Sequence, residues 1–285
     1  MQLSQVISLF LRPPRGGAGA IYDLLGTNNH LGEQSLYLNM GYWAGVDTYD
    51  DACQALARRL GEAAQLSTSD EVLDAGFGFG DQDIFWMENF QPRRICGLNP
   101  SPKQAAHAQK RVADRGLSDR IQLRVGSATE IPHAAGSFDK VISLEAAFHF
   151  VTRERFFQEA YRVLRPGGRM AIADMMPLEG RPFRAVERIG DYIGRRIWQI
   201  PQVNMYGRTP YMEKLRAAGF TSLEWRSIRD VVYAPFARYA SQRLNDPAVV
   251  ARMDPLMRAY WRASTANERA YDPFDYAIVT AEKPR

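Results

Sequence analysis

Cysteine and histidine are scarce in this chain: its 285 residues hold two of the first and four of the second. Cys53 falls in an amphipathic helical stretch and Cys96 in a strand-like one, so both read as small core residues. That argues against a disulfide framework or a zinc site and suits a reducing compartment. Long runs of like charge are missing too. The net charge of +4 is small for the length, with Lys and Arg spread along the chain, so no nucleic-acid footprint is indicated. The apolar patch Val6-Ile7-Ser8-Leu9-Phe10-Leu11 is too short for a membrane span, and no convincing small-residue cleavage site follows it. The sequence has no internal repeat, low-complexity tract or metal-ligand cluster. What remains, 46% hydrophobic and 24% charged, is ordinary globular composition, enough for one large domain or two small ones. The expectation is a soluble, cytoplasmic protein.

The most informative stretch is Glu71-Val72-Leu73-Asp74-Ala75-Gly76-Phe77-Gly78-Phe79-Gly80. It predicts a buried parallel strand ending near Asp74, a tight glycine turn, and then a helix. Glycine is required where the backbone turns with positive φ, or where a ligand touches main chain unshielded by Cβ. This points to a nucleotide-type ligand at the carboxyl end of a first strand. A dinucleotide site wants Gly-x-Gly-x-x-Gly, whereas the spacing here is Gly-x-Gly-x-Gly with Asp74 just ahead. A carboxylate there repels a pyrophosphate but attracts an ammonium group, such as the amino-acid end of S-adenosylmethionine.

Four more strands follow at the rhythm of βαβ units: Arg94 to Leu98, Ile121 to Val125, Lys140 to Leu144 and Arg169 to Ala173. Helical stretches separate most of them, among them Lys103 to Arg115 and Glu154 to Leu164, and another helix, capped by Asp47 or Thr48, precedes the first strand. The fold class is α/β, a doubly wound parallel sheet. Residues 175–212 break the rhythm, mixing aromatics and aliphatics with Arg184, Arg188, Arg195 and Arg196. They predict helices lying as a lid across the sheet's carboxyl edge, continued by one apolar helical stretch from Ala234 to Tyr260. A helix from Tyr211 to Ala218, a strand at Leu223 to Trp225 and a final strand from Phe274 to Ala281 complete the chain. A Pro/Gly hinge at Arg12 to Gly19 sets off residues 1–11 as an arm able to cover an active site or swap onto a neighbouring subunit. The organisation expected is an N-terminal region, residues 1–35, and one domain, residues 36–285, with lid insertions at about 175–212 and 227–267.

The glycine stretch, Ser137-Phe138-Asp139 and the turn Tyr161-Arg162-Val163-Leu164-Arg165-Pro166-Gly167-Gly168 together resemble the class I S-adenosylmethionine-dependent methyltransferases. The resemblance is close over Leu36 to Asp174 and loose elsewhere. It implies a seven-stranded, mostly parallel, Rossmann-like sheet whose tyrosine-containing last strand is antiparallel. It also implies S-adenosylmethionine as methyl donor, leaving S-adenosylhomocysteine. The cofactor residues implied are Tyr42, Trp43, Asp74, Gly76, Gly78, Asn99, Gln104, Ser127, Ala128 and Leu144. Asn99 stands where many members carry an acidic ribose ligand, and Ser127-Ala128 where Asp-Ala is common. The first departure resembles the branch of sterol and tocopherol methyltransferases, prenyl-diphosphate C-methyltransferases and natural-product O-methyltransferases, as does the Gly41-Tyr42-Trp43 turn.

Strand four runs into Glu145-Ala146-Ala147-Phe148-His149-Phe150, at the edge where a doubly wound sheet faces its ligand. Glu145 and His149 lie one helical turn apart and so share a side if the chain turns there; they are the candidate catalytic pair. For a hydroxyl acceptor a base must take the proton, and for an alkene a carbocation must be stabilised and deprotonated. His30, His107 and His133 read as incidental. The expected function is methyl transfer to carbon or oxygen of a largely apolar small molecule, an isoprenoid, lipid or secondary metabolite. Methylation of a nitrogen or a sugar hydroxyl, and a non-catalytic cofactor-binding partner, are the alternatives. Arg184, Arg188, Arg195 and Arg196 are candidates to meet a diphosphate or carboxylate, although for any one of them a solvated helix face is the commoner role. The partners expected are a small-molecule acceptor and, through the arm or the lid, a second copy of the chain, with neither nucleic acid nor metal.

Overall fold

A computed structural model describes residues 19, 22–23, 26–27, 31–265 and 268–285, the side chain of Leu256 excepted. The arm expected over residues 1–11 lies outside the described residues. Seven strands form one sheet: β1 (Glu71–Ala75), β2 (Arg94–Asn99), β3 (Ile121–Val125), β4 (Phe138–Leu144), β5 (Leu164–Pro177), β6 (Thr221–Ser227) and β7 (Phe274–Glu282). Their order is β3-β2-β1-β4-β5-β7-β6. The first five pair in parallel, and β7 runs antiparallel between β5 and β6. The order reverses between β1 and β4, where Asp74 aligns with Ile142. A doubly wound sheet opens its ligand crevice at such a switch point. The glycine loop and Glu145 therefore come to lie at one edge.

Four helices belong to the expected units: α1 (Tyr49–Ala64), α2 (Asp81–Asn89), α3 (Pro102–Asp114) and α4 (Arg153–Val163). Thr48 caps α1 by accepting from the Asp51 N–H, Ser101 caps α3 and Thr152 caps α4, each hydroxyl satisfying one of the orphan amides of a first turn. Val72, Ile142, Leu144, Ala171 and Ala173 feed one core, against Leu56, Leu60 and Trp86. Leu73, Ala75, Val141 and Ile172 feed the other, against Phe156, Phe157 and Tyr211. Strict alternation along each strand produces these two faces.

Two expectations change. Strand five is longer than Arg169 to Ala173, because Leu164 already pairs with Phe138 and the Arg165-Pro166-Gly167-Gly168 stretch is absorbed where the register shifts. The single helical stretch from Ala234 to Tyr260 is three helices, α7 (Tyr233–Arg243), α8 (Pro247–Arg252) and α9 (Pro255–Thr265). Pro247 and Pro255 each open a helix, since proline suits a first turn and breaks an interior. Between β5 and β6 lie α5 (Ala185–Trp198), a one-turn 3₁₀ segment (Gln202–Asn204) and α6 (Arg208–Ala217). Among the described residues no helix is long and apolar enough to cross a membrane.

Candidate active site

A cavity of about 1000 Å³, counted with its open mouth, lies at the switch point. Gly76, Gly78, Asn99, Gln104, Ser127, Ala128, Leu144, Glu145 and His149 all line it, so nine of the residues expected from sequence converge there. Tyr22, Tyr37, Leu38, Asn39, Gln82 and Phe150 line it as well.

At one end the chain is shaped for close approach. Gly76 has φ +103°, and a Cβ there would overlap that of Ala146; its N–H donates to Leu98 O at 2.8 Å, tying the loop to β2. Asn99 Nδ2 donates to Gln104 Oε1 at 2.8 Å, while the buried Gln104 Nε2 has no partner among the described residues. Asn39 Nδ2 is also buried and unpartnered. Such orphaned donors on a cavity wall are what a polar ligand satisfies. The exposed Ser127 spends its hydroxyl on Thr129 Oγ1 at 2.8 Å, and the adjacent Ala128 is buried.

Asp74, Tyr42 and Trp43 do not line the cavity. Asp74 is fully buried beneath the glycine loop, because Gln82 from the first turn of α2 covers it. Gln82 Nε2 donates to Asp74 Oδ2 at 3.1 Å and to Gly76 O at 3.2 Å. The other Asp74 oxygen and both oxygens of the buried Asp83 lack partners among the described residues. Burial raises both carboxyls, and Asp83 is raised further by the Asp74 charge. Two desolvated carboxyls this close hold a proton between them. Tyr42 and Trp43 face the helices instead. The Tyr42 N–H donates to Ala52 O at 2.8 Å, and the Trp43 ring lies 5.0 Å from that of Tyr239. Both side chains cover apolar core, yet the turn reaches the cavity through its backbone: the Met40 N–H donates to Glu145 Oε2 at 2.8 Å.

Glu145 sits at φ +51°, a conformation disfavoured for any residue with a Cβ. Tyr276 OH, from β7, donates to the same Oε2 at 2.6 Å. Burial outweighs both hydrogen bonds and pushes the carboxyl up to about 7. The turn expected to unite Glu145 with His149 is a 3₁₀ segment, Ala147–His149. His149 Nε2 meets Tyr22 OH at 2.9 Å, and its Nδ1 has no partner among the described residues. Burial, with the charge of Arg153 acting in the same direction, pushes the imidazole down to about 3. The ring is therefore neutral at ordinary pH, and the carboxyl is poised near neutrality.

That carboxyl has a consequence for stability. A group raised on folding stabilises fully below its unfolded value and loses that contribution as pH rises through its folded value. The melting-temperature advantage of the wild type over Glu145→Gln is therefore expected to shrink between pH 5 and pH 8. A difference that is constant or grows with pH, followed by calorimetry, contradicts the raised value.

Sequence reasoning missed Tyr22, Gln82 and Asn39, whose positions carry no pattern of their own, and it noted Tyr276 only as part of a strand. The four arginines expected to meet an anionic acceptor do not line the cavity. Arg184 pairs with Glu187 at 2.6 Å, Arg195 pairs with Asp191 at 2.8 Å, and Arg196 lies over the Tyr192 ring. Near neighbours on their own helix satisfy these three, as on most helix surfaces. Among the described residues no cluster of potential metal ligands is present.

The fold and the cavity define a doubly wound α/β protein with a ligand crevice at the switch point of its sheet. A methyltransferase-domain family model matches residues 73–172. The chain is 36% identical to erythromycin 3''-O-methyltransferase of Saccharopolyspora erythraea, over 95% of this chain and 91% of that protein. It is 29% identical to 27-O-demethylrifamycin SV methyltransferase of Amycolatopsis mediterranei, over 87% and 90% of the two chains. The solved cyclopropane synthase MmaA2 of Mycobacterium tuberculosis shares the fold with a TM-score of 0.80 and 19% identity, over 95% of this chain and 99% of that one. The chain belongs to the S-adenosylmethionine-dependent methyltransferases, and with them it transfers a methyl group from that donor to a small molecule.

Proposed function

We propose that the enzyme O-methylates a hydroxyl of a large, mostly apolar natural product, with His149 orienting that hydroxyl and Glu145 taking its proton. One observation carries this reading: both proton acceptors face the same cavity, and a hydroxyl, that of Tyr22, already stands on His149 Nε2 at 2.9 Å. The Glu145 charge acts on that hydroxyl, helping to push Tyr22 above its ordinary range. The division of labour follows from magnitudes. A proton moving to a group near 7 rather than one near 3 gains about 1.4 kcal/mol per unit of difference, so the carboxylate wins. Tyr276 and Met40 hold one of its oxygens in place. The names of the two macrolide- and rifamycin-modifying relatives support oxygen as the acceptor atom.

For the donor, Gly76 and Gly78 line the wall nearest the Asp74–Gln82 pair, Asn99 and Gln104 would hold the ribose hydroxyls, and Ser127, Ala128 and Leu144 would flank the base. The unpartnered Gln104 and Asn39 amides, both on the cavity wall, fit such a ligand. Bound there, S-adenosylmethionine supplies a methyl group activated by its sulfonium, and S-adenosylhomocysteine remains. The insertions at about 175–212 and 227–267 act as the lid of one domain spanning 36–285. The absence of any buried residue from α5 supports this, as do the tilted contact of Trp198 with Tyr22 and its edge-to-face contact with Tyr260.

The test is incubation with labelled methyl donor and a panel of hydroxylated macrolactones, glycosylated phenols and prenyl diphosphates. Label is expected on oxygen of a macrolactone or glycoside. Label on carbon of a prenyl chain, with the hydroxylated compounds untouched, overturns the reading.

A further inference from the structure

His149 is poorly tethered for a residue that must aim a hydrogen bond. Its one well-aligned hydrogen bond among the described residues is with Tyr22, on Nε2; Nδ1 makes none, while the Trp198 backbone is close enough to favour the protonated ring. Catalytic imidazoles are usually oriented by a hydrogen bond at the second ring nitrogen. Here the ring direction has to come from the backbone of the 3₁₀ turn and from contact with Phe148, whose ring centroid is 4.1 Å away.

That turn is clamped from outside. Asn204, fully buried in the segment Gln202–Asn204, donates from Nδ2 to Phe148 O at 2.9 Å and to Phe150 O at 2.7 Å. These are the two carbonyls on either side of His149. Its Oδ1 accepts from the Arg153 N–H at 3.1 Å. Two carbonyls on one side and an N–H on the other leave a single orientation for the amide, with both its donors and its acceptor used. The clamp is itself anchored. The Arg153 guanidinium donates to Asn204 O and, at 2.6 Å, to Met175 O, and it pairs with Asp174 at 2.9 Å. Tyr211 OH donates to Asp174 Oδ2 at 3.1 Å. A buried, charge-assisted network of this kind is rigid. It joins the chain that leaves α5 to the turn that carries the imidazole.

We propose that Asn204 is a positioning residue for His149, holding the carbonyls on both sides of it so that Nε2 meets the acceptor hydroxyl. This rests on the reading of His149 given above. No other described side chain donates to either carbonyl, so a change at Asn204 frees the turn on both sides at once.

The test has two arms in the full-length enzyme. In the first, the ring carbon resonance of His149 is followed in ¹³C-histidine-labelled protein. The wild type is expected to show one sharp line that does not titrate between pH 5 and pH 8, whereas in Asn204→Ala the line broadens, splits or begins to titrate. Asn204→Ser, which keeps one donor, should fall between them and carries the test if the alanine variant does not fold. Leu60→Ala, a buried truncation in α1 at the opposite edge of the sheet, should lower the melting temperature without moving the line. The second arm is a double-mutant cycle on kcat, using the hydroxylated macrolactone that takes up label. Asn204→Ala alone is expected to lower kcat by on the order of 10- to 100-fold, with KM for S-adenosylmethionine unchanged. In the His149→Ala background it should add less than about 2-fold. An unaltered His149 line, or effects that multiply, overturns the proposal. Full kcat in His149→Ala overturns the catalytic reading instead, and leaves the resonance arm to judge Asn204.

Discussion

Glu145→Gln is expected to lower kcat by about 10²- to 10⁴-fold, the usual loss when a general base is removed, while the affinity for S-adenosylmethionine stays at the wild-type value. Glutamine keeps the shape, and its amide oxygen can still accept from Tyr276 and Met40, so the loss belongs to proton transfer. The pH profile should show the same chemistry. A base must be ionised to work, so kcat/KM should rise with pH and level off above the value near 7 at which burial holds Glu145. In the glutamine variant that limb should vanish. If His149 were the base, its value near 3 would leave the wild-type profile flat from pH 5 to pH 8. His149→Ala is expected to cost less, about 10- to 100-fold, through misdirection of the hydroxyl. Full activity of both variants on the true acceptor would remove the pair from the mechanism.

The second large effect concerns the donor. Asp74→Ala is expected to abolish binding of S-adenosylmethionine, measured by calorimetry. The reason differs from the one the sequence suggests. Asp74 does not face the cavity; it anchors Gln82, which bridges to the Gly76 carbonyl. Truncation removes the carboxylate that holds Gln82 and so frees the loop that must approach the ligand. Asp74→Asn separates charge from anchoring, since its amide oxygen still accepts from Gln82. A Kd about 100-fold weaker, roughly 2.7 kcal/mol, is expected if the negative charge attracts the donor's ammonium group. Wild-type affinity in the asparagine variant would show that the carboxylate serves the loop alone.

Much of the site was readable because it is local. Gly76, Gly78, Asn99, Gln104, Ser127, Ala128 and Leu144 lie at or just beyond strand ends, and a parallel sheet delivers strand ends to one edge whatever else the chain does. Glu145 and His149 follow the same logic. The errors share a cause as well. Tyr42 and Trp43 are short-range neighbours of the site in sequence, but whether an aromatic ring faces a ligand or a helix depends on what packs behind it. Here Tyr239 and Arg59 do. Arg184 and Arg195 each have a carboxylate one helical turn away, which suits the solvated helix face rather than an anion site.

The donor class, the succession of the five parallel strands and the edge that carries the cavity are properties of short segments: a strand, a glycine turn whose φ no other residue adopts comfortably, a helix start. Each is dictated by backbone sterics and by neighbours in the chain, so those features could be settled from residues 71–174 alone. The acceptor half is of another kind. Tyr22 on His149, Tyr276 and Met40 on Glu145, and Asn204 across the His149 turn are contacts between segments far apart in the chain. Burial, which no sequence pattern reports, moves the carboxyl towards neutrality and the imidazole away from it. Only the folded chain brings these groups together and withdraws them from water, and on the proposed mechanism that makes one the proton's destination and the other its guide.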